Sequence, residues 1–215
     1  MRLYIIRHGE SFVNLPDWQN RETDTPLTEK GHAQARALAE WLPRNIPRVD
    51  ALYASTLQRA AQTAEYVAEA YRLTALPEPR LREIGANAIT HQSHEPAPMQ
   101  ADYATFWSSE APFANITPGL KSGESMMHFR TRVGQCLEDL LAKHLGQRVI
   151  AVSHGGVIDT IFDYAFNVGP WRRTETWTYN TGITCFEYVA HSKREVWRLH
   201  YHNRIDHLPD ADAIR

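Results

Sequence analysis

The sequence predicts an α/β fold: a three-layer sandwich, with a mostly parallel sheet flanked by helices and a small inserted cap. Three observations carry that reading. Short apolar runs with the look of buried strands alternate with Ala-rich segments of helical period. Two of those runs, "LYIIRHGE" (3–10) and "VIAVSHGG" (149–156), stop on a histidine followed by glycine. The chain then closes on "ITCFEYV" and "EVWRLHY", joined by "AHSKR", which read as a hairpin and add an antiparallel edge.

Each element has its own signal. Residues 2–6 form the first buried strand. "PLTEKGHAQARALAEWL" (26–42) is a helix: Thr28 is its N-cap, Ala-rich content follows, and Pro43 is expected to stop it. "VDALYAS" (49–55) is a second strand. "STLQRAAQTAEYVAEAY" (55–71) is a second helix, with Ser55 or Thr56 expected to cap it. Residues 122–145 form the longest helix, because Met126, Phe129, Val133, Cys136, Leu137, Leu140 and Leu141 recur at helical spacing before Gly146. Residues 148–153 are a third strand, and a helix runs from about Gly156 to Phe166. Residues 86–120 break the pattern with prolines, polar residues and aromatics of no fixed period. A stretch of that length inside a compact domain reads as a cap or lid. No repeat or linker divides the chain, so we expect one domain over 1–215 with the cap inserted at about 86–120.

Composition narrows the function. At 215 residues, 43% hydrophobic, the chain can bury a full core. A formal net charge of -2 argues against a nucleic-acid binder that works through bulk positive charge. Cys136 and Cys185 form no CxxC pair, so neither a disulfide framework nor a thiolate zinc site is expected. No signal peptide and no apolar run near the ~20 residues of a membrane span is found. We expect a cytoplasmic protein without a nucleic-acid or membrane partner; a homo-oligomer is left open.

Ligands of such sheets gather outside the carboxyl ends of the strands, where both histidines sit. Arg7 and His8 leave the first strand and Asn14 follows in the next loop. Arg59 lies in the first turn of the second helix. His154 leaves the third strand, with Gly155 and Gly156 opening a helix. Arginine forks pair bidentately with phosphate oxygens, and helix N-termini add unpaired N–H groups and a favourable dipole. The glycine after His154 is expected to let the backbone approach a ligand closely. A phosphoryl group matches that set of donors best. Asn180 in "YNTGI" either lines the site or makes a turn. Glu10 reads as structural, orienting Arg7 or a helix end, and Glu124 as serving the start of the long helix. "HQSH" (His91, His94) lacks the helix that would aim both rings at one metal ion, so no metal is expected.

The same residues carry a resemblance. "RHGE", "PLTEKGHAQA", "STLQRAAQTA", "LREIG", "GES…F…R" and "VSHGG" match, in order and over nearly the whole chain apart from the cap, the pattern of the histidine phosphatase superfamily, the phosphoglycerate-mutase-like clan. The resemblance implies a phosphoglycerate mutase-like fold and a phosphomonoesterase that needs no cofactor and acts on a small phosphorylated substrate. It implies that His8 is the nucleophile, forming a phosphohistidine that water hydrolyses. Arg7, Arg59, Asn14, His154 and Gly155 would surround the phosphoryl oxygens. Some branches carry an acid directly after the second histidine; "SHGG" has none, and Glu83 in "LREIG" matches the general acid of the mutase and cofactor-independent phosphatase branch. A carboxyl group beside a bound dianion takes up a proton more readily. Arg21 and Trp107 are candidates for the substrate pocket. The alternatives are phosphoglycerate mutase-type transfer and a non-catalytic protein that binds a phosphorylated ligand. Residues 86–120 contain no Lys or Arg, and Tyr103, Phe106, Trp107 and Phe113 suggest an aromatic wall, which points to a neutral or aromatic leaving group.

Overall fold

The computed structural model describes residues 1–18, 24–84, 124–168, 175–190, 193 and 195–209. The expected cap, with His91, His94 and Trp107, lies outside the described residues, as does Arg21. In chain order the elements are β1 (Arg2–Arg7), α1 (Glu29–Asn45), β2 (Ala51–Ala54), α2 (Gln58–Tyr71), β3 (Ala75–Pro77), α3 (Met126–Lys143), β4 (Arg148–Ser153), α4 (Gly155–Ala165), β5 (Ile183–Val189) and β6 (Val196–Arg204). The described strands form one six-stranded sheet in the order β3-β2-β4-β1-β5-β6. The first four run parallel; β5 is antiparallel to β1, and β6 to β5.

The strands β1, β2 and β4 are buried on both faces, and their alternating residues divide between two cores. Leu3, Ile5, Ala51, Tyr53, Val149 and Ala151 face α3 and α4. Tyr4, Ile6, Leu52, Ala54, Ile150 and Val152 face α1 and α2. Full burial of each large side chain is worth about 1.5–3 kcal/mol, so both helical layers are held by the same strands.

Several helix ends differ from expectation. Thr28 does cap α1, its Oγ1 accepting from Gly31 N at 3.1 Å. Pro43 does not stop α1 but lies inside its last turn. Proline there forfeits its own N–H and crowds the carbonyl four residues back. Asn45 Nδ2 donates to Trp41 O at 2.9 Å, and Ile46 N to Leu42 O at 2.7 Å, which closes the end beyond it. Neither Ser55 nor Thr56 caps α2, whose N-cap is Leu57. Asp24 does that work from a distant loop, its Oδ1 accepting from Gln58 N at 2.7 Å. Ser125 caps α3 through His128 N, at 3.2 Å. Glu124 instead turns inward to Arg132. The hairpin strand β6 runs three residues further than the alternation indicated, to Arg204.

Candidate active site

Strand register builds the site. β1 and β4 pair in parallel with Arg7 opposite Ser153, so His8 and His154 are the next residues of two adjacent strands. β2 flanks β4 on its other side, Ala54 opposite Val152, which brings Ser55 alongside. The two imidazoles are buried with ring centroids 5.1 Å apart.

His8 is held in one tautomer. Arg59 Nε donates to His8 Nε2 at 3.0 Å. A guanidinium cannot accept, so Nε2 carries the lone pair and the ring proton sits on Nδ1, which donates to Gly9 O at 2.6 Å. Burial, then the nearby Arg59 and Arg7 cations, hold the His8 pKa well below the usual histidine range. His154 is lowered well below it too, by burial first and then by Arg59. His154 Nε2 lies 2.8 Å from Ser55 Oγ. Thr63, one turn beyond Arg59, donates its hydroxyl to Arg59 O at 2.7 Å and accepts from Gly9 N at 3.0 Å, tying α2 to the loop after β1.

The remaining predicted residues converge on the same place. Arg7 Nη1 donates to Thr178 O at 2.5 Å. Asn14 Oδ1 accepts from Ser11 N (3.1 Å) and Ser11 Oγ (3.0 Å), which leaves Nδ2 as the donor end of its amide. Asn180 Nδ2 donates to His8 O at 3.0 Å, so Asn180 holds the backbone of the site. Glu10 belongs to the start of α1: its Oε1 accepts from Thr28 Oγ1 at 2.8 Å, and Lys30 lies 3.2 Å from its Oε2.

Glu83 rests on the N-terminus of α4, beside His154. Its Oε2 accepts from Gly156 N at 3.1 Å and its Oε1 from Ile84 N at 2.9 Å. Arg132 fixes the peptide beneath, giving Nη2 to Glu83 O at 3.2 Å while pairing with Glu124 at 2.6 and 2.9 Å. These contacts bring the Glu83 carboxyl group against Gly156, the second of the two glycines. A Cβ on Gly156 would stand 2.3 Å from Glu83 Oε1; one on Gly155 would meet nothing nearer than Arg7 Nε, at 3.9 Å. In the sequence Ser55 reads only as a cap, and Thr63, Arg132 and Thr178 are assigned no part in the site. Ser55 was within reach of it, since its place after a strand parallels that of both histidines. Among the described residues, no group of three or more His, Cys, Asp or Glu is placed to hold a metal ion, and no helix is long and apolar enough to cross a membrane.

Two fixed cations, a neutral imidazole whose lone pair meets Arg59, and the Glu83 carboxyl group on the N-terminus of α4 make a set of groups chemically suited to an anion. Known proteins share the sequence pattern and the fold. The family profile described as "Histidine phosphatase superfamily (branch 1)" matches residues 3–203. The chain is 28% identical to a probable phosphoglycerate mutase GpmB of Enterobacter sp. (strain 638), covering 100% of this chain and 97% of that one. It is also 28% identical to a metal-independent phosphoserine phosphatase of Arabidopsis thaliana, over 99% of this chain and 85% of that one. Among solved structures, a mutant phosphoserine phosphatase of Entamoeba histolytica in complex with phosphoserine superposes with a TM-score of 0.73 at 28% identity, covering 97% and 99% of the two chains. Bacillus stearothermophilus YhfR superposes with a TM-score of 0.76 at 25% identity, covering 96% and 98%.

Proposed function

Because the chain belongs to branch 1 of the histidine phosphatase superfamily, we propose that it is a phosphomonoesterase acting on a small phosphorylated substrate through a phosphohistidine on His8. The observation that supports this reading best is the state of His8: a neutral, buried imidazole whose Nε2 lone pair is presented to Arg59. In the first step Nε2 attacks phosphorus, the bond to the ester oxygen breaks, and Glu83 supplies the proton that the leaving alkoxide needs. Arg59 exchanges its bond to Nε2 for one to a phosphoryl oxygen. Arg7, Asn14 and His154 take the others, and their hold strengthens as charge spreads in the transition state. In the second step Glu83 takes a proton from water, whose oxygen attacks phosphorus. The P–N bond breaks, orthophosphate leaves and Nε2 recovers its lone pair.

The proteins that this chain resembles bear the names of phosphatases and of a probable mutase, so the acceptor of the phosphoryl group has to be measured. The experiment is rapid mixing with labelled substrate, followed by an acid-free quench. Wild-type protein should hold an acid-labile, base-stable label and release orthophosphate, and His8→Ala should do neither while staying folded. A His8→Ala variant as active as wild type would overturn the assignment. Transfer of the label to a second organic product, with no orthophosphate released, would favour the mutase. A panel containing phosphoserine, 3-phosphoglycerate and nitrophenyl phosphate would rank the leaving groups and test the expectation of a neutral or aromatic one.

A further inference from the structure

The stretch from 175 to 180 belongs to no helix or strand, yet it governs both residues at the end of β1. Thr178 O accepts from Arg7 Nη1, Asn180 Nδ2 donates to His8 O, and Thr181 N donates to Arg7 O at 3.0 Å and to His8 O at 3.2 Å. An irregular segment can set a guanidinium accurately only if something holds the segment. Here three side chains do so by its backbone. Asp159 Oδ1, from α4, accepts from Thr176 N at 2.8 Å. His202 Nε2 donates to Trp177 O at 2.8 Å, and Asn203 Oδ1 accepts from Tyr179 N at 2.8 Å.

The last two are neighbours near the end of β6, the edge strand. Asn203 sits at φ 54, a left-handed conformation in which Asn is one of the few tolerated side chains. Its amide oxygen reaches across Gly182, where a Cβ would come within 2.3 Å of it. His202 is fixed from its other side by Thr184 Oγ1, 2.9 Å from Nδ1. A residue in an uncommon conformation, a glycine that makes room for it and a doubly bonded imidazole all serve one irregular segment. Backbone outliers of that kind are grounds for a functional hypothesis.

We propose that His202 and Asn203 are positioning residues. By gripping the peptides on either side of Thr178 they hold its carbonyl, and through it the Arg7 guanidinium, in the orientation that meets the phosphoryl group in the transition state. The inference rests on the phosphatase reading for its consequence in rate, and on geometry alone for its consequence in anion binding. It assigns to the edge of the sheet a part in the site, although neither residue touches the substrate.

The test separates lost positioning from lost structure. Asn203→Gly removes the side chain while keeping the backbone conformation unstrained. Asn203→Asp retains an acceptor, and His202→Gln retains a donor at the place of Nε2, whereas His202→Leu has none. Asn203→Gly and His202→Leu should lower kcat/KM ~10- to 100-fold, the scale of a sub-ångström misplacement. Orthovanadate, which adopts the geometry of the transition state, should lose affinity by the same factor and inorganic phosphate by less. The Asp and Gln variants should recover most of it. Active-site titration by the phosphoenzyme burst should give the same fraction of competent sites in all of them. A loss that tracks a reduced active fraction, unchanged vanadate affinity, or equal damage from Asp and Gly at 203 would overturn the proposal. If His202→Leu does not fold, the two substitutions at 203 decide. A wild-type protein without turnover would defeat the phosphatase reading instead. The positioning claim would then stand or fall on whether Asn203→Gly weakens vanadate binding by the folded protein.

Discussion

Replacing Gly156 with alanine should disable the proposed acid while sparing the nucleophile. The new Cβ would stand 2.3 Å from Glu83 Oε1 and 3.1 Å from its Cδ. The carboxylate must recede by about 1 Å to reach ordinary contact. A side-chain terminus can do so without disturbing the backbone, but it leaves the position where a leaving oxygen would receive its proton. Misplacement of a reacting group by that distance costs ~10²-fold in rate. The loss should depend on the leaving group: large for an alkyl phosphate, whose alkoxide needs the proton, and small for nitrophenyl phosphate, whose phenolate leaves without it. Gly155→Ala is the comparison that leaves Glu83 in place, because its Cβ would approach nothing closer than Arg7 Nε, at 3.9 Å; any loss it causes at the phosphoryl group should be the same for both esters. Alanine exceeds glycine in helix propensity by up to about 1 kcal/mol, so Gly155→Ala should be no less stable by thermal denaturation, and in Gly156→Ala that gain offsets the loss of about 1 kcal/mol from the bond between Gly156 N and Glu83 Oε2. The assay is kcat/KM for one alkyl and one aryl ester with wild type, Gly155→Ala and Gly156→Ala. If Gly156→Ala keeps wild-type activity on the alkyl ester, or loses equally on both, Glu83 does not act as the acid from the position it holds.

Two further substitutions probe the site and its surroundings. Arg59→Lys keeps the charge but removes the Nε–H that meets His8 Nε2; kcat should fall ~10²–10³-fold, as on removal of one transition-state donor, and a variant within about threefold of wild type would show that charge alone suffices. His207, whose Nε2 lies 2.9 Å from Thr181 Oγ1 behind the site, has its pKa pushed down by burial to about 4. An imidazole depressed in the folded state lets the unfolded chain bind the proton first, so stability is full above about pH 6.5 and falls as pH drops toward about 4. The loss from this residue is at most about 3 kcal/mol. Urea denaturation at about pH 7 and about pH 4.5 should show His207→Gln losing less on acidification than wild type, and equal losses would refute the depressed pKa.

The parts of the molecule legible in the sequence are those whose signal is local. The apolar runs at residues 2–6 and 149–153 are visible because each strand is buried on two faces, and the histidines that follow are visible because they interrupt those runs. The misreadings have the opposite character. Ser55 and Thr56 look like caps for α2, but Asp24, which has no periodic relation to that helix, takes the N–H of Gln58. Ser55 is instead drawn to His154 by the register of β2 against β4. Pro43 looks like a terminator because the sequence does not reveal that so little of the helix remains beyond it. Arg132 supports the Glu83 peptide across 49 residues of chain, and Asn203, on β6, supports Tyr179 in an irregular segment. Contacts of this kind depend on which strands become neighbours, and no pattern within a single element encodes them.

Register also bears on the charge state of the proposed nucleophile, and that can be read from a pH profile. Burial first, and then the two permanent cations that arise because Arg7 ends β1 and Arg59 opens α2, hold the His8 pKa well below 6.5. A depressed histidine pKa means that the neutral, nucleophilic form persists as pH falls through 6.5, so His8 should not produce the acid limb of kcat/KM near that value. The substrate then should: a phosphate monoester loses its second proton at about pH 6, and the cationic pocket selects the dianion. Two esters with different second pKa values should therefore give acid limbs that move with the ester. In Arg59→Ala, the cation most responsible for the depression after burial is gone. The His8 imidazole, followed by NMR, should titrate at higher pH than in wild type. An acid limb fixed near 6.5 for every ester, with no change in His8 titration on removing Arg59, would mean that the two arginines do not set the protonation state of His8. The neutral-nucleophile account of the site would then fail, even if His8 still carries the phosphoryl group.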